Sequence, residues 1–171
     1  TFANSCGATI FSLNINKPYQ FDPKYIIENV IKINTKILYL VSPNNPCGYV
    51  IEKEVVSDIC KAVPNTLVIC DQAYVEFSPE SELTSLVNDV ENLLITRTFS
   101  KAYSLAGIRI GYVLGSHYLL KEIAKIRNGK NISMLSQEIA IECIKQKRWL
   151  TERVSQVPKG KELFYKSFKE V

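Results

Sequence analysis

Ile37-Leu38-Tyr39-Leu40-Val41-Ser42-Pro43-Asn44-Asn45-Pro46-Cys47-Gly48 is the stretch on which the fold turns. Its first five residues are continuously apolar, as a strand covered on both faces should be; a half-exposed hairpin strand would alternate. The run stops at a Ser-Pro pair, where a loop begins. The pattern returns twice. Residues 66–70 (TLVIC) run into Asp71-Gln72-Ala73-Tyr74, and residues 93–96 (LLIT) run into Arg97-Thr98-Phe99-Ser100-Lys101. Three buried strands, each ending in polar residues, predict the interior of a sheet.

Working outward, residues 9–13 and 111–114 read as two further strands. Amphipathic stretches lie between the strands. Residues 23–33 follow Asp22 as N-cap, and residues 52–63 place Val55, Val56, Ile59 and Val63 on one face before Pro64 closes the helix. Residues 117–127 (Leu119, Leu120, Ile123, Ile126) and 136–144 (Ile139, Ala140, Ile141, Ile144) repeat the pattern. This alternation predicts an α/β domain with a mostly parallel sheet. Residues 146–171 are rich in Lys and Glu and predict a more polar helix, interrupted near Pro158.

The 171 residues suit one domain. Hydrophobic residues at 46% and charged residues at 22% exclude a disordered or low-complexity chain. A net charge of +4 is too small and too dispersed to indicate nucleic acid or a membrane as partner. The Lys- and Arg-rich tail is interleaved with Glu152, Glu162 and Glu170, and reads as a solvated helical face. Five scattered cysteines without a C-x-x-C pair indicate neither a disulfide scaffold nor a metal site, and fit a reducing cytoplasm. No apolar run is long enough to span a bilayer. With no initiator Met and a start in mid-pattern, the chain reads as a piece of a longer protein. His117 is the single histidine and reads as the surface start of a helix, which removes Ser-His and Cys-His catalysis. Gly107-Ile-Arg-Ile-Gly111 is not a dinucleotide fingerprint, and no P-loop motif occurs.

In an open α/β sheet, ligands bind beyond the carboxyl ends of the strands. That edge would gather an amide (Asn45), a carboxylate (Asp71), a phenol (Tyr74), hydroxyls (Thr98, Ser100), an amine (Lys101) and a guanidinium (Arg109). Pyridoxal 5'-phosphate would use all of them: an amine for an imine, a carboxylate for the ring nitrogen, donors for the ring oxygen, and a cation with hydroxyls for the phosphate. Plainer readings exist for each residue. Lys101 or Arg109 would otherwise be a solvated surface cation, Asp71 a strand terminator, and Tyr74 a core tyrosine.

SPNNPCG, DQAYVEF and TFSKAYSLAGIRIGY resemble the signature segments of fold-type I pyridoxal-phosphate enzymes, class I/II aminotransferases, and most closely the histidinol-phosphate aminotransferase branch. The resemblance covers most of residues 1–145, with the three segments in the family's order. It implies a three-layer αβα fold in which residues 1–145 are the central part of the cofactor-binding large domain and residues 146–171 lead toward a C-terminal small domain. It makes Lys101 the Schiff-base lysine and Asp71 the partner of the ring nitrogen. Asn45 and Tyr74 would hold the ring oxygen. Arg109 would bind the phosphate with Ser100, and Thr98 is a further candidate. Catalysis would fall to Lys101, Asp71 and Tyr74. It also implies amino acid and keto acid substrates and a homodimer in the full-length protein.

Cys47 stands where the family usually has Thr, and Gln72 where Glu is common. The family's upstream glycine-rich phosphate contact, its ring-stacking aromatic and its carboxylate-binding Arg have no counterpart, so the chain alone is not expected to be competent. A decarboxylase of a phosphorylated amino acid, a non-catalytic aminotransferase-like module and a ligand-free interaction domain are the alternatives.

Overall fold

The computed structural model describes residues 2–13, 21–126 and 132–168. In chain order these form α1 (Phe2–Ser5), α2 (Pro23–Lys32), β1 (Ile37–Val41), α3 (Lys53–Ala62), β2 (Leu67–Asp71), β3 (Leu93–Thr98), β4 (Gly111–Gly115), α4 (His117–Lys125), α5 (Met134–Lys145) and α6 (Lys147–Phe168). Short 3-10 turns lie between β2 and β3 and before β4. The sheet has the order β1-β2-β3-β4. β1 and β2 run parallel to their neighbours, and β4 closes the edge antiparallel to β3. An α/β architecture with a mostly parallel sheet is therefore what the chain adopts.

Local signals explain the elements. The Asp22 carboxylate accepts from the N–H groups of Lys24 (3.0 Å) and Tyr25 (3.3 Å), and Pro23 takes the first helical position, where its missing N–H costs nothing. α3 turns Val56, Ile59 and Cys60 inward. They pack with Leu38 and Leu40 of β1, Val68 and Cys70 of β2, and Leu93 and Ile95 of β3 into one core. Each fully buried aliphatic chain there contributes roughly 1.5–3 kcal/mol. The antiparallel β4 approaches β3 closely: a Cβ at position 111 would lie 2.8 Å from the Arg97 carbonyl oxygen, so glycine is required there.

Three expectations are corrected. Residues 9–13 form no strand; Ile10 and Phe11 are 48% and 62% exposed, and only Leu13 packs against the core. A β-branched run becomes a strand only where a neighbouring backbone pairs with it, and none of the described strands does. β1 lies at the edge of the sheet and is not evenly covered, whereas β3 buries Leu93, Leu94 and Ile95 on both faces. Side chains of alternate parity face away from α2 and α3, and on that side Ile37 and Tyr39 are 57% and 56% exposed. Finally, α6 passes through Pro158 without a break. Nothing on α6 is buried, so water can satisfy the backbone groups that proline leaves unpaired. Arg127, the end of the expected helix 117–127, and the end of the expected tail at residues 169–171 lie outside the described residues.

Candidate functional site

The three polar segments meet at one edge because the parallel register aligns the strand ends. Val41 pairs with Asp71, and Asp71 pairs with Thr96. The ladder continues one residue further, with Ser42 N–H donating to the Asp71 carbonyl (3.0 Å) and Gln72 N–H to the Thr96 carbonyl (2.9 Å). Every chain leaving the sheet here is thus held by its neighbour.

The Asn45 loop is braced from within. The Ile51 N–H donates to the buried Ser42 Oγ (2.8 Å), the Asn44 N–H to the Tyr49 carbonyl (2.9 Å), and the Gly48 N–H to the Asn44 carbonyl (2.7 Å). Gly48 takes φ +71°, a left-handed turn that suits glycine. The Asn45 side chain, left exposed, donates its amide to the Tyr74 hydroxyl (2.8 Å). Asp71 makes a tight local turn, its Oδ1 accepting from the Ala73 N–H (3.0 Å), which sends the chain round to Tyr74. Its Oδ2 accepts from the Tyr39 hydroxyl.

Lys101 sits in a turn clamped on either side. Phe99 is 4% exposed and packs in tilted contact with Tyr103 and Tyr112, with ring centres 4.8 and 5.7 Å away, while Ala102 is also buried. Leu105 N–H returns to the Phe99 carbonyl (2.9 Å) and Ser104 N–H to the Lys101 carbonyl (2.9 Å). With Phe99 and Ala102 turned inward, Lys101 is left exposed, and its ammonium lies 5.4 Å from the centre of the Tyr74 ring. Asn45, Tyr74 and Lys101 therefore form one continuous contact, with Asp71 three residues before the tyrosine.

Thr98 and Ser100 form a second cluster. Thr98 Oγ1 lies 2.9 Å from Ser100 Oγ and accepts from the Ser100 N–H (3.1 Å). The backbone around Arg109 runs alongside them, since Thr98 pairs with Gly111 and Phe99 N–H donates to the Ile110 carbonyl (3.1 Å). Arg109 itself is left-handed (φ 54°), and its guanidinium donates to the Ala106 carbonyl (3.1 Å); no described hydrogen bond joins it to Thr98 or Ser100. Two groups of candidates thus stand together, and among the described hydrogen bonds the Arg109 side chain joins neither.

Two features escaped the sequence reading. One is Tyr39 on Asp71. The other is a closed network behind the site: Arg97 donates to Gln72 Oε1 (2.7 and 3.3 Å), to Thr84 Oγ1 (3.0 Å) and to Glu82. Gln72 is fully buried and donates to the Ser81 carbonyl. The signal for Tyr39 was present, a phenol in an aliphatic strand two residues before the partner of Asp71. The signal for Glu82 was not, because it lies in a loop of irregular turns.

A groove of about 810 Å³ runs along β1 and is lined by Phe11, Tyr39 and Asn44 among others. A smaller one of about 300 Å³ has Lys101, Ser104 and Arg153 in its wall. The chemistry favours the sheet edge that carries Asn45, Asp71, Tyr74 and Lys101 over the mostly apolar groove along β1. The donor set there suits an aldehyde-bearing, protonatable ring with an anionic substituent: an exposed amine, a carboxylate held in place, an amide and phenol in contact, and paired hydroxyls at the neighbouring strand end.

An amine-bearing turn and a carboxylate thus stand at the carboxyl edge of one α/β sheet. Comparison with known proteins is specific. The family model for aminotransferase class I and II matches residues 1–171, and the chain belongs to that family. Histidinol-phosphate aminotransferase of Thermoanaerobacter pseudethanolicus is 34% identical over 172 residues, which is 99% of this chain and 48% of that protein. The crystal structure of histidinol-phosphate aminotransferase from Sinorhizobium meliloti in complex with pyridoxal-5'-phosphate superposes with a TM-score of 0.75 at 32% identity, covering 82% of this chain and 40% of that one. The Clostridium acetobutylicum histidinol-phosphate aminotransferase structure gives 0.88 at 24% identity, over 99% of this chain and 52% of that one, and shows the shared fold. The chain spans about half the length of these relatives.

Proposed function

We propose that this chain is the cofactor-binding part of a pyridoxal-phosphate-dependent aminotransferase. The observation that carries the reading is the contact of Lys101 on Tyr74 and of Tyr74 on Asn45, at the same sheet edge as Asp71. Family membership and the Sinorhizobium meliloti relative solved with the cofactor support it.

Pyridoxal phosphate, when bound, supplies an aldehyde and a ring that withdraws electrons from the reacting carbon. Lys101 would be the amine for that aldehyde, and its Nζ would take and return a proton at the reacting carbon. Asp71 keeps a proton on the ring nitrogen, which an anion at that position favours. Asn45 and Tyr74 donate to the ring oxygen, their mutual hydrogen bond fixing both before the cofactor arrives. Thr98 and Ser100 would offer hydroxyls to the phosphate, and the planar fork of Arg109, which here donates to the Ala106 carbonyl, would suit it.

The same proposal takes an amino acid and a keto acid as substrates. It assigns residues 1–145 to the central part of the large domain and α6 to the path toward a small domain. A homodimer in the cytoplasm belongs to it on the family resemblance; no described helix is long and apolar enough to cross a membrane. The test is the visible spectrum of the full-length protein with pyridoxal phosphate, before and after borohydride reduction, for wild type and Lys101→Ala. A reduced adduct on Lys101, absent from the variant, is expected, together with amine exchange between an amino acid and a keto acid. An adduct on another lysine, or carbon dioxide release without amine exchange, would overturn the assignment or the reaction respectively.

A further inference from the structure

Resting on that reading, we propose that Tyr39 is a positioning residue for the cofactor, holding the Asp71 carboxylate in the orientation that meets the ring nitrogen. The juxtaposition follows from register. Tyr39 pairs with Ile69 and Val41 with Asp71, so Tyr39 lies on the same sheet face as Asp71, one alternate residue back. A side chain the length of tyrosine spans that diagonal, and its hydroxyl donates to Asp71 Oδ2.

The two carboxylate oxygens then have separate anchors, Ala73 N–H on Oδ1 and Tyr39 O–H on Oδ2, which fixes the plane of the group. Each oxygen has two lone pairs, so these bonds leave room for a third donor. A carboxylate held by the Ala73 N–H alone would be free to rotate, and the ring nitrogen would have to order it on binding. Burial and the Asp71 carboxylate both push the Tyr39 phenol above its usual range, so at neutral pH it stays protonated and can only donate here. On a strand whose other residues are aliphatic, this phenol is used for its hydroxyl.

The experiment is a double-mutant cycle on the full-length protein, with pyridoxal phosphate binding followed by absorbance and the ring-nitrogen signal followed by 15N NMR with labelled cofactor. Tyr39→Phe is expected to weaken cofactor binding about tenfold, as loss of a hydrogen bond to a charged group does, and to move the ring-nitrogen signal toward the unprotonated position. Its melting temperature should stay at the wild-type value, and in an Asp71→Asn background the same change should cost nothing further. Equal losses in both backgrounds, a lowered melting temperature accounting for the loss, or unchanged binding and signal would each overturn the role of Tyr39 alone. A wild-type protein that forms no adduct at Lys101 would overturn the parent reading and this one with it.

Discussion

The two faces of the sheet end differently. On the face toward α2 and α3, the run Val68, Cys70, Gln72 on β2 and beyond meets Leu93, Ile95, Arg97 on β3, and the polar pair at its end is sealed by Glu82 and Thr84. On the opposite face, Ile69 leads to Asp71 and Leu94 to Thr96 and Thr98, and there the polar groups stay open to Asn45, Tyr74 and Lys101. Neighbouring residues 71 and 72 thus serve opposite faces. The first cluster ties the buried Gln72 to Arg97, Thr84 and Glu82 and supports the fold. The open one leaves an amine and part of a carboxylate available for a ligand.

The sharpest way to break this contrast is to remove equal volumes from the two faces. Ile95→Ala empties a position that is 0% exposed and is expected to cost about 2–5 kcal/mol in urea unfolding of the full-length protein. Ile37→Ala, on the side away from α2 and α3 and 57% exposed, should change stability by about 0.5 kcal/mol or less. Equal losses would mean that the second face is covered as tightly as the first. Next in size is Arg97→Met. It strips the buried Gln72 oxygen of its donor and should cost about 1–3 kcal/mol. The borohydride adduct at Lys101 should still form. Loss of that adduct without unfolding would place Arg97 in the open cluster after all.

The sequence made one half of this contrast readable and hid the other. Strands 37–41, 66–70 and 93–96 are visible because largely apolar runs ending in polar residues leave little choice of element, and the structure places them within a residue or two. The convergence of Asn45, Asp71, Tyr74 and Lys101 followed from parallel strand ends. Exposure was not readable in the same way. Hydrophobicity at Ile37 and Tyr39 says that a face can be buried, while coverage depends on which elements pack there. The strand expected at residues 9–13 failed for the related reason that pairing needs a partner as well as propensity. The direction of the Arg109 side chain depends on a left-handed backbone that no spacing announces. Glu82 joined Arg97 across fifteen residues of irregular chain, where no periodicity exists to carry the signal.

The smallest effect separates the two carboxylates beside Arg97. Burial pushes Glu82 up, but donors from Thr84 and Arg97 outweigh it and hold the group below the usual carboxylate range. Burial pushes Glu76 above that range, against its own backbone hydrogen bond and Arg97. A depressed carboxylate contributes stability above its unfolded value, near 4.3, and loses it as pH falls through the folded value. A raised one contributes stability that is complete below about 4.3 and is lost as pH rises through its folded value. The two windows lie on opposite sides of one pH, so in the wild type these two groups give a shallow stability maximum at about pH 4.3, rising toward it from neutral pH and falling below it. Glu82→Gln leaves only the Glu76 slope and should make the protein relatively more stable on acidification. Glu76→Gln leaves only the Glu82 slope and should steepen the acid loss. Both groups are partly solvated, so changes of a few tenths of a kcal/mol are expected. Urea midpoints between about pH 3 and 6 read the two slopes, and slopes of the same sign in the two variants would show that Arg97 does not treat its carboxylates differently.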